Sequence, residues 1–277
     1  MGLLRTFSAI AVRIPLLLWS VIVIFPLIWM FLGAFKTNAE IFVSPWSWPQ
    51  NFNFNNFIEA WTEYNIGSSF LNTLFVTALG TLLCLVFSIP TAYALERLRF
   101  KGSDILLNIY LASMMLPSVL GWIPLFFLLL KMHMLDNLWA LSLVYAVSHI
   151  PFTIFILVSF MGNVPRELEE AAAIDGMSPY GILLKIVTPL VKSGIITASI
   201  LNAISFWNEY FMALILLQTD SKNTLGVAMD LLKISARYES AWGVLFAGLC
   251  ISVIPVIIFY SIFQRHIVKG MTEGAIK

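Results

Sequence analysis

The side chains able to do chemistry in this chain are few and scattered. Glu167, Glu169 and Glu170 crowd together in PRELEEAAAIDGMSPYG (residues 165–181), ahead of an alanine run and an Asp-Gly break. The histidines are His133, His149 and His266, far apart, and no cluster has metal-ligand spacing. Cys84 and Cys250 both sit inside apolar runs, where a disulfide framework is implausible. No G-x-x-x-x-G-K-[ST] nucleotide loop occurs. The nearest stretch, Gly176 to Gly181, continues with Ile182 and Leu183 and lacks the phosphate-binding lysine. No G-x-S-x-G nucleophile elbow is present either. The chain is therefore expected to hydrolyse nothing by itself and to hold neither metal nor cofactor. Its net charge of +1 argues for no nucleic-acid partner.

The surroundings of those side chains set the frame. Residues are 60% hydrophobic and only 11% charged, with a mean hydropathy of +0.89, far too apolar for a soluble domain of this size. A bilayer core of about 30 Å needs roughly 20 apolar residues in a helix. Six stretches qualify, at approximately 14–35, 69–95, 104–130, 138–160, 193–217 and 241–263. The expected fold is an all-α polytopic membrane protein, one transmembrane domain over residues 1–277, multi-pass in the cell membrane. The opening MGLLRT fits the N-myristoylation pattern, which in a chain held by several spans is taken as chance. The first apolar run is span-length with no small-residue cleavage site after it, so a cleavable signal peptide is not expected.

Lys and Arg placement predicts orientation. With the N-terminus inside, the inner segments carry eleven cations: Arg5, Arg13, Arg97, Arg99, Lys101, Arg166, Lys185, Lys192, Arg265, Lys269 and Lys277. The outer segments carry five: Lys36, Lys131, Lys222, Lys233 and Arg237. Both termini and the acidic loop are thus expected in the cytoplasm. The longest outer segment, about 37–68, is rich in Trp, Phe and Asn and suits a structured interfacial cap.

The acidic loop, about 163–190, reads as two short helices around a sharp turn. Asn163 is the expected N-cap and Pro165 stands near the first helical position. The acids of RELEEAAAI lie in the first turn, where the helix dipole favours them. Asp175-Gly176 ends the helix, with Gly176 able to take a left-handed conformation. Ser178-Pro179 then starts a second helix leading to Pro189. Ala171, Ala172 and Ala173 offer a smooth surface that another protein can approach. An amphipathic connector lying on the membrane is the competing reading, but such a helix should be basic rather than acidic.

Within the spans, polar groups are costly and point inward or mark function. His149 and Asn202 fall near mid-span, and Trp207, Asn208 and Glu209 near the outer boundary. The Trp-Asn-Glu group pairs hydrogen-bonding side chains with an aromatic face, which suits a ligand rich in hydroxyls. Interhelical hydrogen bonds and interface anchoring explain the same residues more simply. Pro26, Pro90, Pro117, Pro124, Pro151 and Pro255 interrupt the spans and are candidate kinks.

EEAAAIDGMSPYGILLKIVTPL resembles the EAA loop of ABC importer permeases. Glu170, Ala171, Ala172, Asp175, Gly176, Ile186 and Pro189 match its pattern, with Glu169 just before it. Thr188 stands where Leu is usual, Leu183 where Phe is common, and Ser193 where a second Pro often sits. AYALERLRFKG (92–102), MLPSVLGWIPLF (115–126), FWNEYFMALILL (206–217) and FQRHIVKGMTEGAIK (263–277) resemble blocks of the sugar-importing, maltose-type subfamily. The resemblance implies the type I importer permease fold and a sugar, specifically an oligosaccharide, as cargo. It implies a heterodimer with a second permease, a dimer of ABC ATPase subunits holding ATP and magnesium, and an extracytoplasmic sugar-binding protein. It also implies that the loop docks on the ATPase, and that the tail from Gln264 to Lys277 reaches toward it.

Two other readings stay open. An ABC permease for non-sugar cargo differs only in the subfamily blocks. A secondary transporter or channel subunit fits six spans, with His149 as a proton relay, but lacks the midplane carboxylates that ion coupling usually needs.

Overall fold

In lipid every backbone N–H and C=O must be satisfied within its own segment, so an apolar chain of this kind folds as helices. The structure, a computed structural model, describes residues 2–98 and 100–275, with side chains for 13–98 and 100–264. Arg99, and the side chains of the segment 265–277 that resembles the family's tail, lie outside the described residues. The described residues contain helices and no strand. Among the described residues, four helical stretches are long and apolar enough to cross a membrane, or up to six if each of two bent pairs is one span.

Contacts divide the chain into two compact units. The first comprises Met1–Gly67 with Ala228–Pro255. It holds α1 (Gly2–Gly33), α2 (Asn38–Val43) and α3 (Asn55–Thr62). Between α1 and α3 the chain is structured by a clasp. Lys36 is buried and its Nζ donates to the carbonyls of Ser44 (3.1 Å) and Pro45 (3.0 Å). Asn56 Nδ2 donates to those of Ala34 (2.8 Å) and Lys36 (2.9 Å). Thr37 and Glu40 form a reciprocal capping box at α2. Backbone hydrogen bonds from Thr37 and Gln50 hold the Glu40 carboxyl below its ordinary value.

The second unit comprises Ser68–Val227 with Val256–Lys277. Its elements are α4 (Ile66–Tyr93) with a π-helical end Ala94–Leu98, α5 (Ser103–Ser113), α6 (Trp122–Lys131) and α7 (Leu138–Gly162). Then come α8 (Arg166–Ile174), α9 (Pro179–Ile182), α10 (Thr188–Leu190), α11 (Lys192–Trp207) and α12 (Phe211–Leu216). α13 (Leu225–Glu239) and α14 (Trp242–Ala275) close the chain; their residues from Ala228 to Pro255 belong to the first unit.

Two expected spans are not continuous helices. The stretch 104–130 breaks between α5 and α6, and the two pieces are bent by 97°. Pro117 sits at the break in an extended conformation, ψ 119°. It lacks an N–H and keeps the residue before it out of the helical region. The stretch 193–217 is α11, a turn at Asn208–Tyr210, then α12. Pro179–Leu190 and α11 are bent by 78°, at Val191, which leaves the helical region (φ −94°, ψ 16°). Pro26, Pro90, Pro151 and Pro255, by contrast, lie inside unbroken helices.

Candidate functional site

The acidic loop forms the helix–turn–helix expected of it, with its charges sorted. α8 runs over nine residues. Ala172 faces inward, 7% exposed, into an apolar cluster that includes Tyr93, Leu157, Met161, Ile182 and Val187. A residue three positions earlier shares that face, which brings Glu169 inward as well. Its Oε1 lies 3.0 Å from Arg97 Nε, with both side chains largely buried (13% and 4% exposed). The two atoms are close but poorly aligned for a hydrogen bond, so the contact is ionic.

Arg97 does more than pair with Glu169. It stands in the π-helical end of α4, and its Nη2 donates to the carbonyls of Met161 and Val164 (2.6 Å to the latter). Those carbonyls belong to the last turn of α7 and the second residue beyond it, where intrahelical partners run out and a cation is favoured. One guanidinium therefore ties the ends of α4 and α7 to α8.

The opposite face of α8 is open. Glu170, Ala171 and Ala173 are exposed, as are Ile174 (86%) and, across the turn, Tyr180 (76%). Asp175 is the C-cap. Gly176 adopts φ +83°, with nothing within 4 Å of where a Cβ would stand. Ser178 Oγ accepts from Gly181 N at 3.3 Å, and Pro179 opens α9. Ile186 is half-buried and Pro189 exposed.

Two expectations for this loop need correction. Asn163 does not cap α8; it is the C-cap of α7 and its amide donates back to Ser159 O. Pro165 takes the N-cap position, with no side-chain cap. Ala172 does not join Ala171 and Ala173 on an outward surface, because the apolar cluster needs it.

The mid-span residues come together in a closed network. Asn202, fully buried, donates through Nδ2 to Thr153 Oγ1 (2.8 Å) and Cys84 Sγ (3.5 Å). Its Oδ1 lies 3.2 Å from His149 Nδ1, and His149 Nε2 lies 3.3 Å from Ser205 Oγ. Since the Asn202 amide nitrogen is donating elsewhere, its oxygen is the acceptor, and His149 carries its proton on Nδ1. His149 also packs edge-on against Phe206.

Trp207, Asn208 and Glu209 do not converge on one ligand-sized space. Trp207 packs edge-on against Phe70. Asn208 is exposed and donates to Ile204 O in its own helix. Glu209 accepts from the backbone N–H of Met212 (2.7 Å) and Ala213 (3.2 Å) and from the Tyr145 hydroxyl. Its carboxylate thereby caps α12 and stabilises the turn that ends α11.

The sequence reading missed Arg97 as a joint, counting it only as an inner cation. It also missed Cys84, Thr153 and Tyr145 as partners, and the ion pair Asp136–Lys222 (2.8 Å). No local pattern flags them, because each partner is distant in the chain.

This architecture has close counterparts. A bacterial ABC transporter involved in the import of the acidic polysaccharide alginate has a chain that matches with a TM-score of 0.83 and 26% identity, covering 94% of this chain and 96% of that one. A bacterial alginate ABC transporter solved with its pentasaccharide-bound periplasmic protein matches at a TM-score of 0.66 and 14% identity, over 95% and 96%, and attests the fold alone. The fold is that of an ABC importer permease.

The chain belongs to the family of binding-protein-dependent transport system inner membrane components, whose model matches residues 84–273. It is 34% identical over 273 residues to the diacetylchitobiose uptake permease NgcG of Streptomyces coelicolor, covering 99% of this chain and 90% of that protein. It is 34% identical over 255 residues to the sulfoquinovosyl glycerol permease SmoH of Agrobacterium fabrum, covering 92% and 89%. It is thus a membrane-embedded transport subunit and no enzyme; in this family ATP hydrolysis is done by separate subunits.

Proposed function

We propose that this chain forms half of the transmembrane pathway of a sugar importer, taking an oligosaccharide as cargo. A second, similar permease completes the pathway, and an extracytoplasmic binding protein delivers the sugar. A dimer of ATPase subunits, holding ATP and magnesium, docks from the cytoplasm, where both termini lie. The outward face of α8, with Glu170, Ala171 and Ile174, enters a groove on the ATPase, and Tyr180 flanks it.

The observation that carries this reading is the division of labour within α8. Glu169 is tied inward through Arg97 to the ends of α4 and α7, while Glu170 remains outside and free for a partner. A push on α8 therefore passes directly to two spans. The sugar cargo rests on the relatives, whose names specify diacetylchitobiose, sulfoquinovosyl glycerol and, in a Mycobacterium tuberculosis relative, trehalose.

The test is ATPase activity and uptake by the co-purified complex in liposomes. Loaded binding protein should stimulate both. Uptake that persists without the ATPase subunit overturns the reading, and stimulation by a non-sugar cargo alone overturns the choice of substrate.

A further inference from the structure

Beyond α8 and the mid-span network, the second unit has an open recess of about 540 Å³, within the range of small-molecule sites, roughly 300–1,000 Å³. It lies where the first turns of α4 and α7 meet the segment around Lys222. Its wall combines aromatic rings with polar groups that are fixed in place yet keep unused hydrogen-bonding capacity.

Each group can be followed in turn. Asn72 uses both amide hydrogens, on the carbonyls of Ser221 (2.9 Å) and Asn223 (3.0 Å). Its Oδ1 is left as an acceptor. Asn137 uses Oδ1 to cap α7, accepting from Trp139 N (2.9 Å) and Ala140 N (3.5 Å), which leaves its two N–H donors. Lys222 Nζ donates to Asp136 O and Oδ2, both at 2.8 Å, and keeps one hydrogen. Trp139 is braced edge-on by Phe75 (centroids 5.1 Å apart, 76°) and is 65% exposed, with its ring face and indole N–H available.

The charge is cancelled locally. Burial pushes the Asp136 carboxyl up, but the Lys222 ammonium, the N–H groups of Gln218 and Thr219 and the Thr219 hydroxyl outweigh it, so it titrates below its ordinary value. Asp136 is therefore ionised at neutral pH and neutralises Lys222. A recess with no net charge, an aromatic platform and mixed donors and acceptors does not select an anion such as a phosphate. Its chemistry matches vicinal hydroxyls over an apolar sugar face. Because its walls are already immobilised, little ordering is needed on binding.

We infer that this recess is a carbohydrate subsite for one unit of a neutral sugar, stacked on Trp139 and hydrogen-bonded to Asn72, Asn137 and Lys222. The inference rests on the sugar-importer reading, which also places the first turns of α4 and α7 at the outer mouth. It adds residues that the polar sites within the spans do not include.

The experiment uses the whole transporter in nanodiscs without its binding protein, with trehalose and diacetylchitobiose as probes. Saturation transfer from protein to sugar protons reads binding directly. Trp139→Ala should weaken the apparent affinity about tenfold, the loss of one aromatic contact, whereas Trp139→Phe should retain most of it. Asn137→Ser keeps a capping oxygen and removes the amide donors, so it should weaken the sugar signal while thermal stability and basal ATPase activity hold. Unchanged sugar signals in Trp139→Ala and Asn137→Ser overturn the inference. So does a pattern in which these variants alter only stimulation by the loaded binding protein, since that marks a protein contact. A complex that transports sugar with a recess binding neither probe defeats this inference alone. A recess that binds sugar in a complex transporting none defeats the importer reading alone.

Discussion

The second unit contains two buried polar assemblies that differ in what they leave open. Around Asn202, each hydrogen-bonding group reaches another within the chain: Thr153, Cys84, His149 and Ser205. Around Arg97, the buried ion pair ends one residue short of the surface, and its helix presents Glu170 to the outside. The first assembly holds spans together. The second joins a surface helix to the ends of two others, and in the proposed function it carries load between them. In an apolar chain, a buried polar group by itself does not mark function; the useful distinction is whether its element also offers a free face.

The largest expected effect comes from cutting the joint. Arg97→Ala leaves Glu169 as an uncompensated, largely buried carboxylate and removes the guanidinium that donates to the Met161 and Val164 carbonyls. Breaking such a pair from one side costs about 3–5 kcal/mol. Thermal melting of the detergent-solubilised complex should fall sharply, and transport with it. Near-normal melting would show that α8 is held by its apolar contacts alone, and the load-bearing role would fail.

Glu170→Ala should give the complementary phenotype. Its side chain makes no contact in the isolated chain that needs replacing, so the melting of this subunit should hold. If Glu170 is buried and hydrogen-bonded in the docked complex, its loss costs about 2–5 kcal/mol of association, read as loss of the ATPase subunit on purification and as uncoupled transport. Glu169→Ala should lower melting first, through the orphaned Arg97. Identical phenotypes for the two glutamates would erase the distinction between the inner and outer faces of α8.

Gly176→Val sits between structure and coupling. A β-branched side chain at φ +83° meets backbone strain of about 1–2 kcal/mol, with no neighbouring atom to clash against. Membrane insertion should stay normal while uptake falls, because the turn aims α8. Wild-type uptake in this variant would mean that α8 finds its orientation from the docking partner.

How legible this was from sequence depends on the range of the interaction. The apolar stretches could be read because lipid demands helices of that length, and Gly176 and Ser178-Pro179 because turn chemistry is local. The break at Pro117 could not, since Pro90 and Pro151 look alike in sequence and sit inside continuous helices. Asn163 suits either end of a helix, and only the position of α7 decides which it caps. The inward turn of Ala172 depends on Tyr93 and Leu157, which fix the rotation of α8. The Arg97–Glu169 and Asn202–Thr153 pairings join distant segments, so no spacing rule announces them.

The smallest effect is expected in the closed network, and it tests the comparison from the other side. Thr153→Val keeps the shape of the side chain but removes the hydroxyl that accepts from Asn202 and contacts Cys84 at 3.2 Å. Hydrogen bonds between membrane helices average about 0.6 kcal/mol in double-mutant cycles, with a maximum near 1.7. Asn202 keeps His149 and Cys84 as partners, so the loss should stay near the lower figure. Melting should shift by at most a few degrees and the Michaelis constant for the sugar should not move. His149 and Ser205 are half-buried rather than sealed, so cargo can feel the network through them. If Thr153→Val instead cut uptake as deeply as Glu170→Ala at unchanged melting, Asn202 would be orienting His149 toward cargo. The network would then act in transport, and satisfied hydrogen bonding would no longer separate a strut from a working part.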